Sequence, residues 1–214
     1  MSGFSKGWNK RDDRGGGRGL GNLFRSPSPI KPQLDRASRE IDVLVARLGQ
    51  AEFKVKSRDE ALFQKVVAAT QRGDREHAAM LANELSEVRK IRSTVAGAKL
   101  ALEQVSMRLR TVTAMGDIAA TLAPTIAVVK GVGTGLGSLI PGAQGEINEI
   151  SSLLSETLVE AGTVGGTSLN FSAANDEAER VLEEASAVAY KRMEEQLPEV
   201  PTVAVWDDEG GLTA

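Results

Sequence analysis

Between Arg72 and Val112 the chain holds about forty residues with no proline and a repeating apolar stripe, and this stretch constrains the fold more than any other feature. Leu81, Leu85, Val88, Val95, Leu102, Val105, Leu109 and Val112 step by three or four, with seven-residue jumps across two polar gaps. Such a heptad-like seam predicts a single helix from Asp74 to Val112. At about 1.5 Å per residue it makes a rod of roughly 60 Å, which needs a partner along its length. The preceding segment, Gln33 to Thr70, supplies one: Leu34, Ile41, Leu44, Val45 and Leu48 recur at helical spacing, and the stripe resumes at Leu62, Phe63, Val66 and Val67. Arg72-Gly73-Asp74 separates the two. Gly73 can supply a left-handed C-cap and Asp74 an N-cap, so the expected arrangement is a tight antiparallel hairpin turning at Gly73 and Asp74.

Beyond the hairpin the elements shorten. Met115 to Lys130 remains apolar, with Pro124 expected to kink or split it. The glycine-rich run Gly131–Gly145 reads as a flexible hinge, followed by a short helix from Glu146 to about Glu160 carrying Ile147, Ile150, Leu153, Leu154 and Leu158. A second glycine-rich break, Gly162–Gly166, precedes an acidic helix over Ala173–Gln196, and Leu197-Pro198-Glu199-Val200-Pro201 opens a polar tail. The expected fold is all-α: a long antiparallel helical hairpin followed by shorter helices on flexible Gly-rich hinges. Its regions are a basic leader (1–32), a helical core (33–162), a linker with the acidic helix (163–196), and a Pro motif with its tail (197–214).

Charge is divided along the chain. Up to Thr125 there are 22 Lys and Arg against 14 Asp and Glu; from Ile126 onward there are 4 against 15. A basic half can receive its own acidic half or an anionic partner. Arg36, Arg39, Arg47, Lys54, Lys56, Arg58 and Lys65 place much of the positive charge on the first helix. In the leader, Phe4 and Trp8, and then Leu23 and Phe24, stand among Lys6, Lys10 and Arg11, a mixture suited to an anionic bilayer surface. No run of 18 consecutive apolar residues occurs, so no membrane-spanning helix is expected. Nor does the leader read as a secretory signal.

Catalytic chemistry has little to stand on. Cysteine is absent and His77 is the single histidine, which leaves no imidazole or thiolate ligand set. The alternation Gly131/Gly133/Gly135/Gly137 matches neither a dinucleotide fingerprint nor a P-loop. No catalytic residue, cofactor or metal site is indicated.

The segment Arg72–Val112, with its glycine turn, resembles the second helix of ESCRT-III proteins, and Glu146–Gly162 resembles the helix after that family's flexible connector. Leu197-Pro198-Glu199-Val200-Pro201 is similar to the core of the family's MIT-interacting peptide, in which prolines pre-set an extended backbone and Leu197 and Val200 act as apolar anchors. The leader ending in Gly19-Leu20-Gly21-Asn22-Leu23-Phe24 is similar to archaeal CdvB-type division proteins. No winged-helix pattern, such as the domain some CdvB proteins use to bind the recruiting partner CdvA, is read after the Pro motif, so recruitment through CdvA is not an expectation here. The resemblance implies a cytoplasmic protein, peripheral on the inner face of the cell membrane at the division site. It would polymerise with itself and with paralogous subunits, and be remodelled by an MIT-domain AAA ATPase docking on Leu197, Pro198, Val200 and Pro201. Two alternatives share parts of the pattern: a phage-shock or vesiculation-type membrane-maintenance protein, and a coiled coil that binds nucleic acid through Arg14-Gly15-Gly16-Gly17-Arg18-Gly19. The Pro motif argues against the first, and nucleic acid is the less favoured partner.

Overall fold

The computed structural model describes residues 30–112, 115–165 and 171–197. The leader residues expected at a membrane, Phe4, Lys6, Trp8, Lys10, Arg11, Leu23 and Phe24, and the motif residues Pro198, Val200 and Pro201 lie outside the described residues. Five helices follow in order: α1 (Ile30–Gln71), α2 (Arg75–Thr111), α3 (Met115–Leu136), α4 (Ala143–Gly165) and α5 (Phe171–Gln196). No strand occurs among the described residues.

The hairpin forms as its sequence dictates. Gly73 takes φ +74°, a left-handed conformation that costs glycine little. The carboxylate of Asp74 accepts from the backbone N–H of His77 at 3.1 Å, satisfying a donor that the start of α2 would leave orphaned. Pro32 falls in the first turn of α1, where its missing N–H has no intrahelical use, so α1 begins three residues earlier than expected.

Leu34, Ile41, Leu44 and Leu48 of α1 and Val95, Leu102, Val105 and Leu109 of α2 join one core with residues of α3, α4 and α5. A second, separate cluster lies toward the turn and contains α1 and α2 residues only: Leu62, Val66, Leu85 and Val88. The molecule is therefore a five-helix body from which the distal half of the hairpin continues as a two-helix stalk.

Polar rungs fix the register of α1 against α2. Ser106 Oγ lies 3.2 Å from Ser38 Oγ and donates to Asp42 at 2.7 Å. Arg110 bridges the same Asp42. Farther along, Lys99 meets Glu52 at 3.1 Å and Arg58 meets Glu84 at 2.7 Å. Asp59, only 1% exposed, accepts from Arg89 Nε at 3.0 Å and lies 3.8 Å from Arg92 Nη1. That last trio occupies one of the two gaps in the α2 stripe; Ala98 occupies the other.

Two expectations change. The glycine-rich stretch after α3 is not a hinge in its first half, because α3 stays helical through Gly131, Gly133 and Gly135 to Leu136. Pro124 does not split that helix. The glycines serve packing instead. A Cβ added at Gly133 would come within 2.9 Å of Ile147 Cγ2 on α4, and one at Gly131 within 2.5 Å of Leu182 Cδ1 on α5. Only Gly137–Gly142 turns, with Gly142 at φ +83°. Second, α4 stays helical through Gly162 to Gly165, so most of the expected second glycine-rich break is helix. Ile118–Leu136 is long and apolar enough by composition to cross a bilayer, although Thr, Gly and Pro interrupt its apolar run. In this fold that segment is mostly buried among its neighbours, as the central helix of the body.

Candidate functional site

Each predicted cation of the first helix has a distinct environment. Arg36 hydrogen-bonds Glu40 at 2.8 Å and approaches Glu149 of α4 at 3.5 Å. The Glu40 hydrogen bond and charge raise the pKa of the Arg36 guanidinium above its usual value. Arg47 pairs with Glu146 and donates to the carbonyl of Pro141 at 2.7 Å, so it clamps the turn between α3 and α4. Arg58 is spent on Glu84 across the hairpin. Arg39, Lys54, Lys56 and Lys65 are exposed, and no ion pair involves them among the described residues. Arg39 lies on the body, whereas Lys54, Lys56 and Lys65 lie farther along α1 toward the stalk.

The acidic helix α5 lies antiparallel on α2 and also packs on α3. Arg108 of α2 pairs with Glu177 near its start, and Arg92 Nη2 reaches Gln196 Oε1 at 3.5 Å near its end. Between these points the helices approach closely at Gly97, where an added Cβ would sit 3.3 Å from Ser186 Cα. The docked face of α5 carries four alanines, Ala174, Ala178, Ala185 and Ala189, together with Val181 and Met193, and Leu182 packs partly buried against the same core. The docked face of α4 carries Ile147, Ile150, Leu154 and Leu158 instead. Each alanine methyl adds about 0.8 kcal/mol on burial, against roughly 1.5–3 kcal/mol for a buried Leu or Ile. Close approach at Gly97 fixes where α5 lies on α2, and its alanines bury less apolar surface each than the Ile and Leu side chains of α4.

Leu197 follows α5 directly. Its N–H bonds the Met193 carbonyl at 3.0 Å. Its side chain lines a cleft of about 720 Å³ with Tyr190, Met193 and Glu194 of α5 and Ala82, Ser86, Arg89, Lys90, Ser93 and Thr94 of α2. The Pro motif therefore starts at the junction of body and stalk, beside the buried Asp59–Arg92 pair. Sequence reading missed Asp59 and Arg92 because each looks like one charge among many. The signal that was present is the seven-residue jump from Val88 to Val95, where α2 offers Arg92 instead of an apolar residue.

Among the described residues no group of three His, Cys, Asp or Glu side chains is placed to hold a metal ion. His77 is exposed at the start of α2.

The chain is 39% identical over 181 residues to Cell division protein B1 of Sulfolobus acidocaldarius, a match covering 85% of each chain. It is 27% identical over 186 residues to Cell division protein B of the same organism, covering 85% of this chain and 71% of the other. No protein-family model matches it. No solved structure does either.

Proposed function

This chain belongs to the CdvB-type, ESCRT-III cell division proteins of archaea, and on that premise we propose that it is a non-catalytic subunit of a filament that shapes the membrane at the division site. The observation that carries the reading is the hairpin itself. A rigid α1–α2 rod, half of it standing clear of the body, offers a long repeating surface on which many weak contacts can add into avid assembly.

In this reading the structure corresponds to the closed subunit. The acidic α5 covers part of α2, and its alanine face allows it to leave at low cost. Departure uncovers α2 for assembly and frees Leu197, Pro198, Val200 and Pro201 to dock as an extended peptide between helices of an MIT domain on an AAA ATPase. Membrane contact falls to the leader, where Phe4, Trp8, Leu23 and Phe24 enter the interface while Lys6, Lys10 and Arg11 meet anionic headgroups at about 1 kcal/mol each. Lys54, Lys56 and Lys65 are further cations open to the same surface. The protein would then act in the cytoplasm, peripheral on the inner face of the cell membrane.

Two comparisons test this. Deleting residues 1–25 should cut co-sedimentation with phosphatidylserine-containing liposomes severalfold; undiminished binding removes the leader from the account. Leu197→Asp should abolish pull-down by an MIT domain of the ATPase, and a retained interaction would show the motif to be inert.

A further inference from the structure

The cleft at the junction of body and stalk has a chemistry that the docking of α5 leaves unused. Tyr190 stands 59% exposed on its wall, although the neighbouring Met193 is buried. With Leu197 these side chains give the cleft an aromatic and aliphatic side. The opposite side, from α2, is polar and cationic through Arg89 and Lys90, and Glu194 is the one carboxylate among the lining residues. Arg89 holds the buried Asp59 through Nε. Lys90 reaches Glu87 of its own helix at 2.6 Å, an exposed pair of the kind that contributes little to stability. At about 720 Å³ the cleft falls within the roughly 300–1,000 Å³ of sites that enclose a small ligand.

The chain carries a complementary sequence of its own. Val203-Ala204-Val205-Trp206-Asp207-Asp208-Glu209 lies shortly after Leu197, which is already part of the cleft wall. Apolar residues ending in a tryptophan, then three carboxylates, match a cleft with an aromatic side and a cationic one. The tether suffices: the nine steps from Leu197 to Trp206 have a root-mean-square span of about 17 Å. That is comparable with the roughly 18 Å of α2 between Ala82 and Thr94, the outermost α2 residues of the cleft. We propose that Trp206 seats in this cleft of its own subunit, its ring against Tyr190 and Met193, with Asp207 and Asp208 facing Lys90 and Arg89. A tether this short holds the ring at an effective concentration in the millimolar range, which favours the subunit's own tail over that of a second copy. Trp206 then clasps the end of α5 to α2, beyond the contact at Gly97, and Pro198–Pro201 becomes a loop pinned at both ends. The seating does not depend on the filament reading. Its consequence, that an ATPase meets the Pro motif only after Trp206 has left, rests on that reading.

The test uses the full chain carrying Trp8→Phe, which leaves Trp206 as the single tryptophan, in dilute solution without lipid. Its fluorescence should be blue-shifted from that of a peptide of residues 202–210, and acrylamide should quench it severalfold less. Tyr190→Ala and Lys90→Glu, both at exposed positions, should together return emission and quenching to the peptide's values while the far-ultraviolet circular dichroism stays that of the parent. A Trp206 as open to acrylamide in the full chain as in the peptide overturns the proposal. So does protection that survives the double substitution, which would seat the ring elsewhere. Protection that grows with protein concentration would make the occupant the tail of a second copy, and overturns it too. Because neither polymer nor ATPase enters the measurement, its failure would leave the filament reading standing. Should the double substitution unfold α5, the cysteine-free chain permits a second route. A short bismaleimide should join Ser86→Cys in the cleft wall to Val205→Cys of the same chain severalfold faster than it joins Ser57→Cys, on the exposed surface of α1, to Val205→Cys; equal rates contradict the seating.

Discussion

Asp59 is the residue on which the junction of stalk and body depends. It is buried against Arg89 and Arg92, and Arg92 is itself only 3% exposed, with Nη1 lacking a hydrogen-bond partner. Removing one member of such a pair leaves a charge stranded out of water, a loss commonly of about 3–5 kcal/mol. Arg89 is partly solvated, so Asp59→Asn should fall at the lower end, about 3 kcal/mol, measured as a drop in urea midpoint at constant slope. Adding Arg92→Met should restore part of that loss. Additive losses would show that the pair is not coupled. Neither residue was legible beforehand: charge counting assigns Asp59 and Arg92 to solvated faces, and only the cross-hairpin register brings them together. Gly73 and Asp74 could be placed from sequence because capping is local chemistry, decided within a few residues of the turn.

At the scale of elements, the docking of α5 turns on how closely it lies against α2. Gly97 faces the backbone of Ser186, so a larger side chain there must displace the helix rather than a flexible side-chain tip. Gly97→Leu should loosen α5 while leaving the hairpin folded. Hydrogen exchange should then show faster exchange over Phe171–Gln196 and unchanged protection in the Leu34–Leu48 and Val95–Leu109 segments; retained protection of α5 would contradict its dependence on that contact. The boundaries of α1, α2 and α5 were readable because amphipathic periodicity and strong breakers agree there. The α3–α4 region was misread for a specific reason. Glycine carries two meanings, freedom of the backbone and absence of a side chain, and a sequence does not say which one applies. At Gly131 and Gly133 the second applies, because Leu182 and Ile147 occupy the space that a Cβ would take. Arg47 likewise looked like one more cation of a basic helix, whereas its partners Pro141 and Glu146 lie almost a hundred residues away.

The whole molecule combines a helical rod, a covering helix α5 and a motif that starts at the end of that helix. The basic and acidic halves seen in the sequence meet at Arg36–Glu149, Arg47–Glu146 and Arg108–Glu177, so part of the charge imbalance is neutralised inside one subunit. The central claim is that this subunit builds filaments once α5 is gone. The most direct measurement is negative-stain microscopy of the chain truncated after Gly165, with and without acidic liposomes, beside the full-length protein. The account predicts ordered filaments for the truncated chain at concentrations where the full chain stays dispersed, and filaments lying on the liposome surface. A truncated chain that remains monodisperse and leaves the liposomes bare would contradict it.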